Sequence, residues 1–135
     1  MALLEKQLIV KRSGLPNAGK GLFTTKEIPR GTRIVEYKGV IKTWKEITDN
    51  PVFNGYVFYV NKNHVIDAKN YKPGLAQLAN DAKGLSRIEG VLNNCKYEED
   101  NKKVYIVSTK KIPAGAEILV GYGKEYWDVV KSLGK

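Results

Sequence analysis

Short runs of apolar, β-branched and aromatic residues, separated by Gly and Pro, dominate the chain. Six of these runs have strand character, at residues 8–10, 33–37, 56–60, 65–66, 104–107 and 117–120. Val, Ile, Tyr and Phe favour extended backbone, whereas Gly and Pro interrupt it. The pattern therefore predicts a mainly β chain of many short strands with short helices (α+β).

Three segments have helical character, and none of them is long. Thr43 and Glu46 form a capping-box pattern, which predicts one or two helical turns that end at Asn50 and Pro51. Apolar residues at helical spacing over 75–82 predict a second short helix. A third helix is predicted over residues 124–134, where an apolar stripe is followed by a glycine.

One pattern occurs twice in the chain. Residues 25–31 (Thr-Lys-Glu-Ile-Pro-Arg-Gly) are matched by residues 109–115 (Thr-Lys-Lys-Ile-Pro-Ala-Gly). Pro fixes one backbone dihedral and Gly permits a positive one, so each copy predicts a turn that leads into a strand. The two strands end at Tyr37 and Tyr122. Two interpretations stay open: a pair of units that each deliver a tyrosine, or two ordinary hairpins that use the same turn.

Length and composition predict one domain over residues 1–135, since 135 residues fit a single core and 42% hydrophobic with 27% charged residues is typical of folded proteins. With one Cys and one His, an internal disulfide is excluded and a structural metal site is not expected. The N-terminus has no signal-peptide pattern, and no run approaches the ~20 apolar residues of a membrane span. We expect a soluble intracellular protein, cytoplasmic or nuclear.

The net charge of +9 indicates an anionic partner such as DNA or chromatin, although the basic residues are spread over the whole length. The glycine-rich stretch over residues 14–21 is close to a phosphate-binding loop but lacks the final Ser or Thr, because Gly21 stands there. A nucleoside triphosphatase is therefore disfavoured. The stretch is either a loop whose glycines allow close approach to a ligand or a tight hairpin.

A series of motifs, taken in order, resembles a known family. They are Gly19-Lys20-Gly21-Leu22-Phe23 with the turn and strand that lead to Tyr37, then residues 65–68 (Val-Ile-Asp-Ala), 76–81 (Ala-Gln-Leu-Ala-Asn-Asp), Asn94-Cys95 and 117–123 (Glu-Ile-Leu-Val-Gly-Tyr-Gly). Together they resemble the SET-domain protein-lysine methyltransferases over about residues 8–127. Without flanking cysteine clusters, the chain is similar to compact members of the viral type.

The resemblance implies a SET-domain fold of several small twisted sheets with a threaded C-terminal segment. It also implies the cofactor S-adenosylmethionine on one face and a substrate lysine in a narrow channel from the other. The implied catalytic residues are Tyr122, Tyr37 and Tyr97, although Tyr97 is equally described as a strand residue that packs on the core. The implied cofactor-binding residues are Gly19, Lys20, Gly21, Tyr37, Asn80, the backbone around Asp81, Tyr122 and Trp127.

The reaction suits these residue types. Methyl transfer needs a neutral amine, whereas a free lysine has a pKa near ~10.4. A positive sulfonium and a dry aromatic channel both disfavour the ammonium form, so the proton can leave to water without a carboxylate base. Tyrosine hydroxyls can then position the amine, and alignment supplies most of the acceleration. We expect mono- and dimethylation, with Tyr97 limiting the space where Val120 replaces a larger residue.

Three positions depart from the family pattern. Asp81 stands where His is usual, Gln77 where Arg is usual and Gly121 where Asp is usual. These departures keep a second hypothesis open, a non-catalytic SET-like module that binds chromatin or nucleic acid. For the enzyme, a histone-like protein is the expected substrate, and association with DNA would reconcile two positively charged partners. A homodimer fits so small a domain, but no seam in the sequence identifies one.

Overall fold

Short segments rich in β-branched and aromatic residues form the strands. The computed structural model describes residues 3–16, 18–51, 55–72, 74–83 and 89–122. The strands within them are Leu8–Arg12 (β1), Lys20–Thr24 (β2), Arg33–Glu36 (β3), Val40–Lys42 (β4), Val57–Asn61 (β5), His64–Asp67 (β6), Cys95–Asp100 (β7), Lys103–Ser108 (β8) and Glu117–Ile118 (β9). The helices are Trp44–Thr48 (α1) and two 3-10 helices, Glu5–Gln7 and Ala76–Leu78.

The strands pair in three small sheets of three strands each. Their orders are β1-β2-β9, β3-β8-β7 and β4-β6-β5, and every pairing is antiparallel. Each sheet is too small to be stable alone, so the three must pack on a shared core. The prediction of a mainly β fold of several small sheets is confirmed.

All six predicted strands are present, whereas β2, β4 and β7 were not predicted. Gly19 and Gly21 obscured β2, which lies in the glycine-rich stretch. The stretch includes the connection of an antiparallel hairpin, because Arg12 of β1 pairs with Lys20 of β2, and close approach of a ligand to its glycines stays a prediction. The connection is closed by the Ser13 amide, which donates to the Gly19 carbonyl at 2.8 Å.

The helix predictions had three outcomes. The helix after Thr43 is confirmed with its capping box, because the Thr43 side chain accepts from Glu46 N and the Glu46 carboxylate accepts from Thr43 N. The helix predicted over residues 75–82 is wrong beyond one 3-10 turn, since Ala79 is already extended and Asn80 pairs with Leu119. The predicted helix over residues 124–134 lies outside the described residues.

The two copies of the repeated pattern pair with each other. Ile28 N donates to Ile112 O at 2.8 Å, and Ile112 N donates back to Ile28 O at 2.9 Å. The neighbouring strands also pair crosswise. β3, which follows the first copy, pairs with β8, which precedes the second copy. β9, which follows the second copy, pairs with β2, which precedes the first. We call residues 24–37 the first turn unit and residues 108–122 the second turn unit.

The glycine of each turn unit bonds to the start of the other. Gly31 N donates to Ser108 O at 2.8 Å, and Gly115 N donates to Thr24 O at 2.7 Å. Both glycines have positive φ, +79° and +86°, in a region that residues with a Cβ rarely adopt. The two turn units are therefore related by an approximate twofold axis, and their exchange of hydrogen bonds joins the first and second sheets.

The core fills the space between these sheets. Its largest fully buried side chains come from the first two sheets and the turns that connect them: Leu22, Ile28, Ile34, Ile106, Ile112 and Ile118. Burying each such side chain contributes roughly 1.5–3 kcal/mol. The strands that lead to Tyr37 and Tyr122 are thus held by well-buried residues. No helix among the described residues is long and apolar enough to span a membrane.

Candidate active site

The end of the second turn unit runs between two distant parts of the chain. On one side, Val120 N donates to Asn80 O at 2.9 Å. On the other side, Asn94 N and Cys95 N donate to Leu119 O at 2.9 and 3.0 Å. Both contacts are parallel bridges, Asn80 with Leu119 and Cys95 with Val120. This is the neighbourhood expected of a threaded C-terminal segment. We call residues 117–122, which pass between these two parts, the threaded end.

The Asn94 side chain adds two hydrogen bonds to these backbone contacts. Its Nδ2 donates to Glu117 O at 2.9 Å, and its Oδ1 accepts from Leu119 N at 2.9 Å. An amide side chain has a donor and an acceptor at one end, so it can pair with a peptide as another strand would. Asn94 therefore fixes the backbone three to five residues before Tyr122.

The glycine-rich connection meets the second turn unit at Glu117. The Glu117 carboxylate accepts from Ser13 Oγ at 2.6 Å and from Gly14 N at 3.0 Å. A Cβ on Gly21 would collide with Glu117 Oε2, so the close approach requires glycine there. Gly19 has a different reason to be glycine, since its φ is +72° and no atom lies within 4 Å of where its Cβ would be.

Asn80 joins this connection to the threaded end. Its Nδ2 donates to Lys20 O at 3.0 Å and reaches Glu117 Oε2 at 3.4 Å. The start of β2 and residues 79–81 therefore touch, although 60 positions separate Lys20 from Asn80. The structure brings Gly19, Lys20, Gly21, Asn80 and Asp81 into one neighbourhood beside Tyr122.

A cavity of about 330 Å³ lies next to this neighbourhood. It brings together all three tyrosines singled out by the sequence, and its described lining residues are Tyr37, Gly55, Tyr56, Val57, Phe58, Gln77, Tyr97 and Tyr122. None of these eight residues carries a formal charge at neutral pH. A cation entering this cavity would lose hydration without gaining a charged partner from them, which favours neutral species.

The rings form a continuous aromatic wall. Tyr97 meets the Tyr37 and Phe58 rings edge to face, with centroid distances of 6.0 and 5.1 Å. It stacks on Tyr122 at 6.4 Å, with 24° between the ring planes. Tyr97 also packs against the main hydrophobic core. Tyr97 is therefore a strand residue on the core that also lines the cavity, while its implied catalytic role stays a prediction.

Tyr122 is fixed at both of its ends. Its hydroxyl donates to Ala79 O at 2.5 Å, and its backbone N donates to Asp81 Oδ2 at 2.8 Å. Because the hydroxyl hydrogen is committed to Ala79, the oxygen can only accept from a further group. Tyr122 also lies where the cavity and the glycine-rich neighbourhood meet.

The remaining groups near the site do not resemble a hydrolase or thiol centre. Burial raises the pKa of the Cys95 thiol to about 12, so Cys95 stays protonated and is a poor nucleophile. Gln77 donates from Nε2 to Ala68 O and Tyr71 O at 3.3 Å, while no described donor reaches its buried Oε1. Among its described lining residues, the cavity offers positioned neutral oxygens rather than an acid and a base.

Sequence reasoning missed part of the wall. Tyr56 and Phe58 line the cavity, and their spacing of two residues in a predicted strand was the available signal for a shared face. It also did not foresee that Ser13 and Asn93 hold the carboxylates of Glu117 and Asp81. The predicted cofactor residue Trp127 lies outside the described residues.

Comparisons with known proteins agree with this arrangement. The family described as SET domain matches residues 19–123. Histone-lysine N-methyltransferase 2D from Homo sapiens is 29% identical over 116 residues, which cover 82% of this chain and 2% of that protein, and its Mus musculus counterpart gives the same values. N-lysine methyltransferase KMT5A from Xenopus tropicalis is 25% identical over 128 residues, covering 84% of this chain and 36% of the relative.

These curated relatives are much longer than the region they share with this chain, which spans 2% and 36% of their lengths. The likeness is distant, yet it extends over most of this chain. The matched residues include the end of the glycine-rich stretch from Gly19 onward, both turn units and the threaded end. The chain belongs to the SET-domain family and is distantly similar to histone-lysine and other N-lysine methyltransferases.

Proposed function

We propose that this chain is an S-adenosylmethionine-dependent protein-lysine N-methyltransferase that acts on a histone or another chromatin-type protein. The observation that carries the proposal is the convergence of Tyr37, Tyr97 and Tyr122 on one uncharged cavity. This cavity adjoins the glycine-rich connection through Tyr122. An aromatic channel for an amine and a backbone-lined site for a small cofactor are thereby adjacent.

The residues present suit the cofactor that SET domains generally use. Open space beside Gly19 gives a bound group access to the backbone at the start of β2. We assign its amino-acid end to Gly19, Lys20, Gly21 and Asn80, and its adenine to the backbone around Asp81. When bound, S-adenosylmethionine supplies an activated methyl group on a positive sulfur. Trp127 stays a prediction for the same site.

The chain's own residues would orient and desolvate the substrate amine. The uncharged aromatic wall disfavours an ammonium ion, so the lysine proton leaves to water before transfer. The Tyr122 oxygen, whose hydrogen points to Ala79 O, would accept a hydrogen bond from the neutral amine and hold its lone pair toward the methyl group. Alignment of this kind accounts for several kcal/mol of a barrier, on the order of 7–11 in favourable cases.

We propose mono- and dimethylation as the product range. Val120 is fully buried and is absent from the described lining of the cavity, so it does not set the free volume there. Tyr97 stacks on Tyr122 inside the cavity and occupies space that a third methyl group would need. Mass spectra of the product should therefore be dominated by one and two added methyl groups, and a predominantly trimethylated lysine would contradict this assignment.

The direct test is transfer of labelled methyl from S-adenosylmethionine to free histones, nucleosomes and a mixed cell lysate. Tyr122→Phe is the matched control, since it removes one hydroxyl. Label on a lysine with the native protein but not with the variant supports the proposal. Nucleosomes should exceed free histones, because DNA offsets the repulsion between a +9 enzyme and a basic tail.

A second candidate is a SET-like module that binds chromatin or nucleic acid without catalysis. It is favoured by Asp81 and Gly121, which depart from the family pattern beside Tyr122. Calorimetry separates the two: an enzyme binds S-adenosylmethionine with little salt dependence, whereas a nucleic-acid module binds DNA with an affinity that falls steeply with salt. DNA contact and a homodimer stay predictions of the sequence.

A further inference from the structure

The Asp81 carboxylate is buried and bonded on both oxygens. Asp81 is only 5% exposed. Oδ2 accepts from Tyr122 N at 2.8 Å, while Oδ1 accepts from Lys83 N and from Asn93 Nδ2, both at 2.8 Å. The carboxylate thus joins the 79–83 segment to the backbone of Tyr122.

We infer that Asp81 is a positioning residue, whose carboxylate fixes Tyr122 at the cavity instead of binding the cofactor. The inference deepens the proposed function and, for its catalytic part, rests on it. Tyr122 is held by its amide to Asp81 and by its hydroxyl to Ala79 O, and both acceptors belong to one short segment. A shift of Asp81 would therefore move the Tyr122 ring relative to Tyr97.

The three donors explain why a carboxylate is needed. An amide at position 81 has one oxygen and one NH₂ group, so its NH₂ would face either the Tyr122 amide or the Asn93 NH₂. A donor facing a donor loses a buried hydrogen bond and leaves a polar group unsatisfied. Hydrogen bonds to an ionised acceptor are also stronger than those to a neutral one. Asp81→Asn is thus nearly isosteric but cannot reproduce the bonding.

Asn93 orients this carboxylate. Its Nδ2 donates to Asp81 Oδ1, and its Oδ1 accepts from Ala82 N at 2.7 Å. A Cβ on Gly121 would lie 3.5 Å from the same Nδ2, which is ordinary contact. Position 121 thus adjoins Asn93, and glycine there offers no polar side chain that could compete with Asp81 for it.

The test compares the native chain, Asp81→Asn and the control Ser108→Ala. Ser108 is also buried, at 2% exposure, and its hydroxyl bridges Pro29 O and Thr32 N rather than the site. Amide hydrogen exchange by NMR should show Tyr122 exchanging at least about tenfold faster in Asp81→Asn, while Val120, bonded to Asn80 O, changes little. Ser108→Ala should leave the Tyr122 amide unchanged.

Kinetics provide the second readout. With saturating cofactor and substrate, Asp81→Asn should lower kcat by about 10- to 100-fold, because small misplacement of a catalytic group costs up to about that factor. The dissociation constant for S-adenosylmethionine, measured by calorimetry, should change less than about threefold, which corresponds to about 0.7 kcal/mol. Should Asp81→Asn not fold, Asp81→Ser is measured in its place with the same expectations.

Three results would overturn the inference. One is an unchanged Tyr122 exchange rate. Another is weaker cofactor binding with unchanged kcat, which would make the Asp81 side chain a cofactor ligand. The third is a uniform rise in exchange across the chain with normal kcat of the folded protein, which would make its role only structural. Absence of methyl transfer by the native chain would refute the proposed function instead, and the exchange measurement would still decide whether Asp81 fixes Tyr122.

Discussion

The two turn units begin alike and end differently. Each has a buried hydroxyl residue, an isoleucine paired with its counterpart and a glycine with positive φ. The first ends at Tyr37, only 4% exposed and held among the rings of Phe58 and Tyr97. The second ends at Tyr122, half-buried and held by hydrogen bonds to Asp81 and Ala79. Two rings pack on the Tyr37 side chain, whereas the Tyr122 side chain also donates a hydrogen bond to a backbone carbonyl.

The same contrast holds where each unit enters its strand. Arg33 opens β3 and pairs with Glu98 and Asp100 at the surface, at 3.0 and 2.9 Å, with its side chain 36% exposed. Glu117 opens β9 at the corresponding position, but its carboxylate turns to Ser13 and Gly14. The two strand entrances of the repeated backbone thus differ in their polar side chains: one pairs at the surface and the other reaches the glycine-rich connection.

The largest effect should come from removing the two tyrosine hydroxyls. Tyr122→Phe should lower kcat by about 100-fold or more, because its oxygen positions the reacting amine. Tyr37→Phe keeps the packed ring and should cost about tenfold or less. Labelled methyl transfer measures both, and the S-adenosylmethionine affinity of Tyr122→Phe, measured by calorimetry, should stay near native. Equal losses in the two variants would remove the contrast between them.

The next effect concerns stability at the strand entrances. Glu117→Gln places an NH₂ group among the donors of Ser13 and Gly14 and should cost about 1–3 kcal/mol in free energy of unfolding. Arg33→Gln breaks solvent-exposed ion pairs, which water screens, and should cost less free energy of unfolding than Glu117→Gln. Urea denaturation compares the two. A larger loss for Arg33→Gln would mean that the surface pairs, and not the inner carboxylate, hold the turn units.

A smaller and equal effect is expected at the shared turns. Gly31→Ala and Gly115→Ala each force a Cβ into the left-handed region, where the space is open and only backbone strain counts. Each should therefore lower the free energy of unfolding by about 1–2 kcal/mol. Gly121→Ala, at a position without positive φ, is the control and should change it by about 0.5 kcal/mol or less. If thermal melts show that the free energies of unfolding of Gly31→Ala and Gly115→Ala differ by more than about 0.5 kcal/mol, the two turns are not equivalent.

The smallest effect is expected in the alkylation rate of Cys95, which reports on the second turn unit. Cys95 is 4% exposed and pairs with Val120 in a parallel β-bridge, and burial raises the pKa of its thiol to about 12. At pH 8 its alkylation should be at least about 100-fold slower than that of a free cysteine thiol, since the thiolate is the reacting species. Glu117→Gln should speed the reaction and Arg33→Gln should not. Rapid alkylation of the native chain would show that the threaded end opens readily.

Local sequence patterns correctly predicted those elements whose formation depends on local interactions. The strands around Ile34 and Ile106, the capping box at Thr43 and the turns at Gly31 and Gly115 all follow from residue type and spacing. The failures have a common cause. Residues 79–82 have helical spacing, but Asn80 pairs with Leu119, which is distant in sequence, and that pairing overrides the helix. The Asp81 to Tyr122 bond, which spans 41 positions, has no local signal either.

The site residues divide in the same way. Tyr37, Tyr122, Gly19, Lys20, Gly21 and Asn80 could be named because short motifs surround them, although their roles remain predictions. Glu117 appeared only as a motif letter, and its approach to Gly21 needs the folded chain. Motifs identified the individual tyrosines, but only the cavity shows which uncharged groups face one another.

The exchange of strands between the turn units also sets an order of assembly. β2 lacks its partner β9 until residue 118 has left the ribosome, and the Ser13 to Glu117 contact closes a loop of 104 positions. Contacts of such sequence separation slow folding, because loop entropy is lost before the contact is gained. A nascent chain can therefore form its first hairpin early, whereas the tyrosine cavity is completed only when almost the whole described sequence has been synthesised.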